Sequence, residues 1–405
     1  MLFLSQVLPY PLDAGAKVRA YYILRWLADW ADVTLVSFVR TDDSPEAVTH
    51  LREFCADLVT VPMHRSQLAD CWHLARALAT GRSFIVLRDE RRSMRRVLVD
   101  LCRRREFDAV HADQISVAGY ALQLSIPFCV LDYHNAVYRV CESLASGESS
   151  MLRRRLLVRE ACKVARYEAE QAASFSRTLF VSEVDRQAIC NVAHPEERAL
   201  IKSGSRVLPI CIDCTGFERV HSRQDARRIT VIGTMFWPPN SQGVLWFAEH
   251  VLPRILDECP DAVLTVVGKR PPSEVRALER RFAGSVEVTG YVLDVLPLLQ
   301  ETAALIVPLL SGGGMRVKIL DAWRWGLPVV SSRVGAEGIE VQDGIDIVLA
   351  DTPEAFARAL VVLLQQPNER ERIGAAGRAA VEESYDAGRG YSGLHELYAP
   401  VLVNE

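Results

Sequence analysis

The chain of 405 residues is long enough to form two domains with large hydrophobic cores. Hydrophobic residues make up 49% of it and charged residues 24%, which is typical of a soluble globular protein and excludes a disordered chain. The net charge of −4 divides unequally, because residues up to Arg206 carry +3, mostly as arginine, and the remainder carries −7. We expect no nucleic-acid partner. The sequence contains no run of 18 apolar residues, which indicates no transmembrane helix.

The N-terminal segment MLFLSQVLPYPLDAG lacks a basic region and runs into a glycine loop, so we predict a first strand here and no signal peptide. Ten cysteines are scattered along the chain, and the CxxC motif Cys211–Cys214 has no second pair at zinc spacing. Redox or metal use of this motif is one interpretation. We favour free, mostly buried thiols in a reducing cytoplasm, and therefore a cytoplasmic protein.

Short apolar runs alternate with helical patterns along the first half of the chain. The predicted strands are Phe3–Leu8, Val33–Phe38, Leu58–Pro62, Phe107–Ala112, Phe128–Asp132 and Thr178–Ser182. The predicted helices are Ala16–Ala31, Pro45–Ala56, Ser66–Thr80, Arg88–Arg105, Ile115–Leu124, a long one within Glu142–Ser176, and Glu183–Val192. This alternation predicts an α/β fold with an open parallel sheet that is covered by helices on both faces.

Ligands of such sheets bind at the carboxyl ends of the strands, where this half of the chain carries two histidines and a glycine loop. The loop from Pro9 to Gly15 precedes a helix start, which suits an anion. His111 ends one predicted strand and His134 follows another. Either histidine could donate to a substrate oxygen or take a proton, or could be a loop histidine bonded to the backbone.

The long predicted helix is strongly basic. Its cationic residues are Arg153, Arg154, Arg155, Arg159, Lys163 and Arg166, and Leu152, Leu156, Val158 and Ala165 supply apolar neighbours. A basic amphipathic helix can lie on an anionic membrane surface. The alternative is a charged helix face that is simply solvated.

The periodic pattern stops between about Pro209 and Arg228 and then starts again. The second series of predicted elements is Ile229–Gly233, Gly243–Cys259, Ala262–Val267, Ser273–Phe282, Val286–Thr289, Val292–Gln300, Glu354–Gln366 and Asn368–Ser384. We therefore predict two Rossmann-like domains, residues 1–208 and 229–385, which face a cleft and are joined by a linker over 209–228. The tail, residues 386–405, is amphipathic over Gly388–Val403, and we expect it to pack on the N-terminal domain.

The most informative stretch of the second series is Leu305–Ser332, which reads as strand, glycine loop, helix, stop and strand. Leu305–Leu309 is a buried strand pattern, and Gly312–Gly314 let the backbone approach a ligand closely. From about Met315 a helical stripe follows, and Gly326 is the helix stop before the strand Leu327–Val330.

The opposite face of this helix carries Gly314, Lys318 and Asp321 at i, i+4 and i+7. A glycine loop at a helix start offers free N–H groups and a positive dipole end to a phosphate, and Lys318 adds a full charge. Asp321 is placed to accept hydrogen bonds from ribose hydroxyls. The spacing thus predicts a nucleotide-diphosphate site, and the alternative is a surface helix with an incidental lysine–aspartate pair.

Three motifs of the second half occur in the order that a known family shows. They are Val231–Asn240 (VIGTMFWPPN), Val288–Asp294 (VTGYVLD) and Pro308–Asp321 (PLLSGGGMRVKILD). Together they resemble the retaining glycosyltransferases of the GT-B fold known as glycosyltransferase family 4, the group 1 sugar transferases of polysaccharide biosynthesis. The segments Pro9–Gly15 and Leu131–Asn135 look like the family's acceptor-domain motifs.

The resemblance implies a nucleotide-sugar-binding C-terminal domain and an acceptor-binding N-terminal domain. It implies a diphosphate held by the loop Gly233, Thr234 and Met235 and by Arg316 and Lys318, a ribose held by Asp321, and a base flanked by Tyr291 and Val292. Gly15 would lie near the donor phosphate or the acceptor, and His134 beside the transferred sugar. Many members carry a glutamate eight residues before the acid that matches Asp321. Here Gly313 stands in that place, and the backbone of Gly313 and Gly314 is one candidate to replace it.

The implied reaction retains the anomeric configuration and needs no metal ion or cofactor besides the nucleotide-sugar substrate. Departure of a nucleoside diphosphate needs positive charge, and with no Asp-x-Asp motif in the chain we expect Lys318, Arg316 and helix dipoles to supply it. In the family's usual description the leaving phosphate helps to deprotonate the acceptor, so that no strong protein base is required.

Three other functions remain open at this point. They are a nucleotide-sugar 2-epimerase of the same fold, a Rossmann dehydrogenase, and a non-catalytic protein that binds nucleotide sugars. The dehydrogenase lacks its Gly-x-Gly-x-x-Gly motif, because Gly312–Gly314 are contiguous. The basic N-terminal half favours a glycan or lipid-linked acceptor, with a peripheral contact to the anionic inner face of a membrane, as in exopolysaccharide assembly.

Overall fold

The computed structural model describes residues 1–402, so the predicted tail 386–405 ends outside the described residues. The chain divides into two units, each of which is an α/β fold with its own parallel sheet. The first unit comprises residues 1–211, 313–315 and those from Ala387 onward, and the second comprises 212–312 and 316–386. The predicted linker 209–228 is thus divided at Cys211 between the two units.

The sheet of the first unit is entirely parallel, with the strand order β3-β2-β1-β4-β5-β6-β7. Its strands are β1 (Leu2–Ser5), β2 (Thr34–Val39), β3 (Asp57–Pro62), β4 (Ala109–Asp113), β5 (Phe128–Tyr133), β6 (Arg177–Phe180) and β7 (Ser205–Val207). The central strands are buried because helices cover both faces, and this explains their apolar, non-alternating sequences.

The helices of this unit within residues 1–211 agree with the predicted alternation, with two differences. They are α1 (Gly15–Ala28), α2 (Pro45–Arg52), α3 (Gln67–Thr80), α4 (Phe84–Asp89), α5 (Arg92–Arg104), α6 (Ile115–Ala121), α7 (Val137–Ser146), α8 (Met151–Ser174), α9 (Glu183–Val192) and α10 (Pro195–Gly204). The long helix predicted within Glu142–Ser176 is confirmed as α8, Met151–Ser174. The two differences are that the helices α4, α7 and α10 were not predicted, and neither was the strand β7.

The second unit has a parallel sheet with the order β10-β9-β8-β11-β12-β13. Its strands are β8 (Arg228–Ile232), β9 (Val263–Val267), β10 (Val286–Gly290), β11 (Thr302–Val307), β12 (Val329–Ser331) and β13 (Val348–Leu349). Its helices are α11 (Pro238–His250), α12 (Leu252–Glu258), α13 (Ser273–Arg281), α14 (Leu296–Gln300), α15 (Val317–Arg324), α16 (Pro353–Gln365) and α17 (Pro367–Ser384). The helix predicted over Gly243–Cys259 is wrong as one element, since it divides near Val251.

Two further helices, α18 (Ala387–Gly390) and α19 (Gly393–Leu402), return to the first unit. Leu394, Leu397 and Tyr398 lie in a core cluster with β1 and α1 side chains such as Phe3 and Leu24. The C-terminal segment therefore completes the hydrophobic core of a sheet whose strands all lie before residue 208.

Local sequence signals explain where many helices begin and how they face the sheets. Ser44, Ser66, Ser83, Ser182 and Thr352 each precede a helix, and their side-chain oxygens accept a hydrogen bond from an N–H of its first turn. The apolar stripe predicted on α15 is buried at Ile319, Ala322 and Trp323. Gly326 has φ +73°, as a helix stop requires. In residues 1–402 we find no helix that is both long and apolar enough to cross a membrane.

Candidate functional site

Both sheets change winding direction at one point, and this fixes where polar residues collect. In the second unit the chain winds outward from β8 to β9 and β10, and then resumes on the other side of β8 with β11. In open parallel sheets ligands bind at the carboxyl ends of the strands beside such a switch point. The turn Gly233–Met235 follows β8 and the glycine loop Gly312–Gly314 follows β11, so the two predicted diphosphate loops flank the switch point.

Asn240 connects the first of these loops to Lys318. The Lys318 ammonium donates to Asn240 Oδ1 at 2.9 Å, and the Asn240 amide nitrogen donates to the carbonyl oxygen of Thr234 at 3.0 Å. The N–H of Met235 donates to the carbonyl of Lys269, and its side chain is fully buried. The turn is therefore held from both sides, with Lys318 beside its backbone.

Close approach of backbone and side chain requires glycine at two positions here. A Cβ on Gly233 would lie 2.8 Å from Nζ of Lys318, and a Cβ on Gly268, after β9, would lie 1.6 Å from the carbonyl oxygen of Gly233. Any larger residue at either position would displace the turn or the lysine.

The loop after β11 places Arg316 immediately before the helix that carries Lys318. Arg316 is the N-cap residue of α15, and a Cβ on Gly312 would lie 2.6 Å from its guanidinium. Because α15 starts at Val317 and not at Met315, Gly314 is not on the helix with Lys318 and Asp321, and the predicted three-residue line is wrong in that detail. The two cations remain together at the N-terminal end of α15, where the helix dipole is also positive.

The charge state of Lys318 is unusual. Desolvation of its ammonium group, followed by repulsion from Arg316, lowers the pKa of Lys318 to about 7 from an ordinary value of 10.5. A bound phosphate would supply the missing counter-charge. A lysine whose pKa is lowered beside an arginine is a candidate anion-binding group.

Asp321, the predicted ribose ligand, is held by Arg324. The Arg324 guanidinium donates to Asp321 Oδ1 at 2.9 Å and also lies 4.0 Å from the centre of the Phe217 ring. Burial raises the pKa of Asp321 and the Arg324 charge opposes that change. Arg324 thus fixes the orientation of the Asp321 carboxylate. This orientation agrees with a carboxylate that accepts from ribose hydroxyls, and it also agrees with the alternative of a structural ion pair.

Aromatic and cationic side chains border the same strand ends. Tyr291, after β10, is exposed, and the Lys269 ammonium lies 4.6 Å from its ring centre. Val292 beside it is partly buried. Phe236, in the turn after β8, is exposed and lies under the Arg270 guanidinium at 5.6 Å. An exposed flat ring next to the predicted diphosphate loop is suited to stacking on a base.

The switch point of the first unit lies between β1 and β4, and it is built from buried charges. Asp113 ends β4, and its carboxylate accepts from the Ser5 hydroxyl at 2.9 Å and pairs with Nε2 of His134 at 2.8 Å. His134 follows β5, its side chain is 9% exposed, and its Nδ1 has no hydrogen-bond partner within residues 1–402. Because a carboxylate only accepts, Nε2 carries the proton and Nδ1 is the atom left for a ligand.

A buried ion pair fixes the end of β5 from behind. Arg19, in the second turn of α1, donates to both oxygens of Asp132 at 2.6–2.9 Å, and also to the carbonyl oxygens of Leu208 and Pro209. Burial alone would raise the pKa of Asp132, but Arg19 and the two histidines hold it well below its usual value. Gly15 begins α1, so the ion pair also fixes the helix whose first turn follows the predicted Pro9–Gly15 loop.

His111 lies inside β4, and the prediction that it ends a strand is wrong. Its ring is fully buried and stacks on Phe3 at 4.7 Å, and its Nδ1 lies 2.7 Å from the hydroxyl of Tyr398 in α19. These contacts make it part of the core, and Asp113 occupies the strand end instead.

Gly313, Gly314 and Met315 group with the first unit. A Cβ on Gly314 would lie 2.9 Å from Cβ of Asn135 and 3.0 Å from the carbonyl oxygen of His134. Gly314 has φ +80°, so its glycine is required both by conformation and by this approach. Of the predicted residues, the structure therefore brings Gly314 next to His134.

Asp113, Asp132 and His134 offer ligand atoms that lie within 4.8 Å of one another, the spacing of a metal site. Asp132, however, already accepts two-pronged hydrogen bonds from Arg19, which compensate its charge. The cysteines do not form a site of this kind: all ten are free thiols, including Cys211 and Cys214.

Sequence reasoning missed Asn240, Asp113 and Arg19. Asn240 had a usable signal, because it lies in the Val231–Asn240 motif directly after two prolines. Asp113 and Arg19 had none, since their hydrogen-bond partners are 21 or more residues away in the chain and only the tertiary structure brings them together.

Residues 226–366 match the family model of the glycosyl transferases group 1. An uncharacterized 44.6 kDa protein of the cps region of Klebsiella pneumoniae is 27% identical over 173 residues, 41% of this chain and 44% of that protein. The phosphatidyl-myo-inositol mannosyltransferase of Mycobacterium tuberculosis is 26% identical over 216 residues, 50% of this chain and 56% of that protein. The chain thus matches about half the length of these curated relatives.

Among solved structures, Anabaena Alr3699/HepE in complex with UDP-glucose superposes with a TM-score of 0.66 at 13% identity, covering 98% of this chain and 99% of that one. Two Rossmann-like units and this likeness define the GT-B fold class. The residues that match the group 1 glycosyl transferases, 226–366, span β8 to α16 of the second unit.

Proposed function

We propose that the protein is a glycosyltransferase that moves a sugar from a nucleotide-diphosphate sugar to a hydroxyl group of a glycan or lipid-linked acceptor. The observation that carries the proposal is the position of Lys318. Its ammonium lies beside the backbone turn at the switch point of the second sheet, bonded to Asn240 and next to Arg316. The match of residues 226–366 to the group 1 transferases supports the same conclusion.

In this proposal the diphosphate binds to Lys318 and Arg316 at the N-terminal end of α15. The C1–O bond to the β-phosphate breaks, and the two cations, with the N–H groups of the Gly233–Met235 turn, stabilise the negative charge that develops on the leaving oxygen. A preorganised site of this kind needs no reorientation during the reaction, because Asn240 already holds the lysine.

The nucleoside binds between Asp321 and the Tyr291–Val292 loop. Asp321, directed by Arg324, accepts from the ribose hydroxyls, and the exposed Tyr291 ring flanks the base. HepE was solved with UDP-glucose, and a Corynebacterium glutamicum relative, 28% identical over 144 residues, is named a GDP-mannose-dependent mannosyltransferase. UDP-sugars and GDP-sugars are therefore the donors to test first.

On the acceptor side, His134 binds an oxygen of the transferred sugar through Nδ1, and Asp113 orients the ring through Nε2. Gly15 and the first turn of α1 lie near the donor phosphate or the acceptor. A new bond forms from C1 to the acceptor oxygen on the face that the diphosphate leaves, and the acceptor proton passes to the departing phosphate. The configuration at C1 is thereby retained, and no protein base is needed.

In this proposal the reaction requires no divalent ion, because Arg316 and Lys318 neutralise the diphosphate charge that a metal ion would otherwise neutralise. Turnover should then be unchanged by EDTA. If EDTA abolishes it and Mg²⁺ or Mn²⁺ restores it, metal independence is wrong, and the Asp113–Asp132–His134 cluster becomes the first place to look for the ion.

The first experiment is a thermal-shift screen of the full chain against nucleoside diphosphates and their sugars. A ligand that binds the folded state raises the melting temperature by mass action, and the screen needs no acceptor. We expect a shift with one base and a smaller one in Asp321→Ala and Lys318→Ala. Lys202→Ala, which removes an exposed lysine in α10, is the matched control and should behave as wild type.

The anomeric outcome is then read from the product by NMR with the donor that gives the shift. Inversion at C1 would contradict the retaining mechanism but not the transferase. A thermal shift with no transfer to any glycan or lipid-linked acceptor would favour the binding-protein alternative, and interconversion of two nucleotide sugars would favour the epimerase.

A further inference from the structure

Most of the surface of helix α3 is exposed to solvent. Of its 14 residues only His73 and Ala77 are buried. Leu68, Trp72, Leu74 and Leu78 are exposed, and they lie at i, i+4 spacings, so that two adjacent rows of large apolar side chains face away from the fold. Trp72 is 60% exposed and Leu68 85%. Contiguous apolar surface of this kind marks an interaction site in a soluble fold.

The N-terminal part of α8, Met151–Arg159, combines apolar and cationic exposure. Met151, Leu152, Leu156 and Val158 are exposed, and Arg153, Arg154, Arg155 and Arg159 are interspersed among them, also exposed. Beyond this segment the cations of α8 have structural partners: Lys163 donates to two backbone carbonyls, and Arg166 pairs with Glu170 and Glu197. Only the first nine residues of α8 therefore present free apolar surface together with arginine.

The two helices are joined. The Lys163 ammonium donates to the carbonyl oxygens of Ala77 and Arg82, and Glu160 accepts from the Ser83 hydroxyl and from the N–H of Ile85. The C-terminal end of α3 is thus fixed to the middle of α8, within one unit. We call the exposed faces of α3 (Leu68, Trp72, Leu74, Leu78) and of α8 (residues 151–159) the α3–α8 surface.

A second basic helix in the same unit shows that charge alone does not define this surface. α5 exposes Arg92, Arg95, Arg96, Arg103 and Arg104, but of its large apolar side chains only Val99 is exposed among the described residues. The α3–α8 surface differs from α5 because it adds Trp72 and seven aliphatic or thioether side chains to its arginines. Tryptophan and arginine next to aliphatic side chains are the composition that partitions into a lipid headgroup region.

We propose that the α3–α8 surface docks the protein on an anionic lipid bilayer, with the apolar side chains of α3 and α8 inserted among the acyl chains and Arg153, Arg154, Arg155 and Arg159 paired with lipid phosphates. The charge complementarity between four arginines and anionic headgroups decides for a bilayer over a second copy of the chain, since two such faces would repel each other. The proposal does not depend on the transferase activity.

The test is cosedimentation of the full chain with vesicles of phosphatidylglycerol and phosphatidylcholine, and with vesicles of phosphatidylcholine alone, without nucleotide. We expect binding to the anionic vesicles that falls at least about tenfold when the salt is raised to about 0.5 M. Trp72→Ser with Leu78→Ser, and separately Arg153→Gln, Arg154→Gln and Arg155→Gln together, should each weaken binding by at least about tenfold.

The matched control removes the same charge from α5, as Arg95→Gln, Arg96→Gln and Arg104→Gln, and should bind vesicles as wild type does. All of these residues are exposed, so melting temperatures should be unchanged, and this verifies that each variant is folded. Absence of wild-type binding to anionic vesicles at low salt would overturn the proposal, as would an equal loss in the α5 control. A dimer in solution that Trp72→Ser dissociates, without vesicle binding, would assign the surface to a second copy instead.

Discussion

The switch points of the two sheets have the same strand topology but carry different kinds of side chain. In the first unit the strand ends carry a closed network of charges, in which Arg19 neutralises Asp132 and Asp113 holds His134. In the second unit the strand ends carry glycine turns, two neighbouring cations and exposed aromatic rings. In the first unit the charges pair with one another and Nδ1 of His134 is the atom left for a ligand, whereas in the second unit two cations, Arg316 and Lys318, lie next to each other.

Under the proposed function, this difference indicates which part of sugar transfer each unit would perform. Binding of a neutral sugar hydroxyl depends more on orientation than on charge, and a histidine whose ring is held by a carboxylate can orient it. A diphosphate needs charge and close backbone approach, and the second unit supplies both. Three substitutions and one pH dependence test whether the two strand ends differ in this way.

Removing the arginine of the first unit should have the largest effect. Arg19→Ala leaves Asp132 charged and buried without its partner, and also loses the bonds to Leu208 and Pro209. We expect the free energy of unfolding of this unit to fall by about 3–5 kcal/mol. Denaturant titration followed by tryptophan fluorescence, with Trp26 and Trp30 as reporters in this unit, measures it. Arg177→Ala, at an exposed strand end, is the control, and an equal unfolding midpoint in both variants would show that the ion pair contributes nothing.

Removing the lysine of the second unit should act on catalysis and not on folding. Lys318→Ala is expected to lower kcat by about 10²–10³-fold, because the leaving diphosphate loses a charge-assisted contact. Its melting temperature without ligand should not fall, since burying the ammonium is unfavourable in the free protein. Steady-state kinetics with the donor found in the screen measures the effect, and wild-type rates in the variant would contradict the diphosphate assignment.

The orienting role of Asp113 should be visible as a smaller loss. Asp113→Asn keeps an oxygen that can accept from Nε2 of His134 but loses the carboxylate, and we expect kcat to fall by about 10- to 100-fold with the donor KM unchanged. Ser5→Ala, which removes only the hydroxyl that donates to the other Asp113 oxygen, should cost less. If both variants raise the donor KM while kcat is preserved, the cluster serves binding and not orientation.

The smallest effect is a pH dependence that only the second unit should show. Because the pKa of Lys318 is lowered to about 7, the free protein loses this charge above neutral pH, and a diphosphate must then restore the proton. We expect nucleoside-diphosphate affinity to weaken up to about tenfold per pH unit above 7. Without ligand, the free energy of unfolding changes with pH in the opposite direction. The unfolded chain keeps the Lys318 proton up to about pH 10.5, whereas the folded protein loses it near pH 7, so the contribution of Lys318 to stability rises between these two pH values.

Calorimetry in two buffers of different ionisation enthalpy detects the proton that is taken up on binding. Lys318→Arg keeps the charge at every pH and should remove both the uptake and the pH dependence. Equal proton uptake by this variant and the wild type would assign the titration to another group.

Most of the helices and strands, and about half of the residues of the candidate site, could be predicted from the sequence. Leu305–Ser332 predicted a strand, a glycine loop and a helix ended by Gly326, and each is present with bounds shifted by a few residues. Lys318, Arg316 and Asp321 lie on or beside one short helix, so their proximity follows from local spacing alone. The helix α7 was not predicted, although Gly147 and Ser150 interrupt the pattern between it and α8.

Local sequence signals specify the order of elements, the two α/β series and the cation–carboxylate group of α15, because periodicity and glycine positions act over a few residues. The pairings of Arg19 with Asp132, Asp113 with His134, His111 with Tyr398 and Lys318 with Asn240 depend instead on how the chain folds. These partners are 21 to 287 residues apart in the chain, and their meeting depends on strand order and register. Strand order and register are properties of the whole sheet, because no single segment specifies which strand lies beside it.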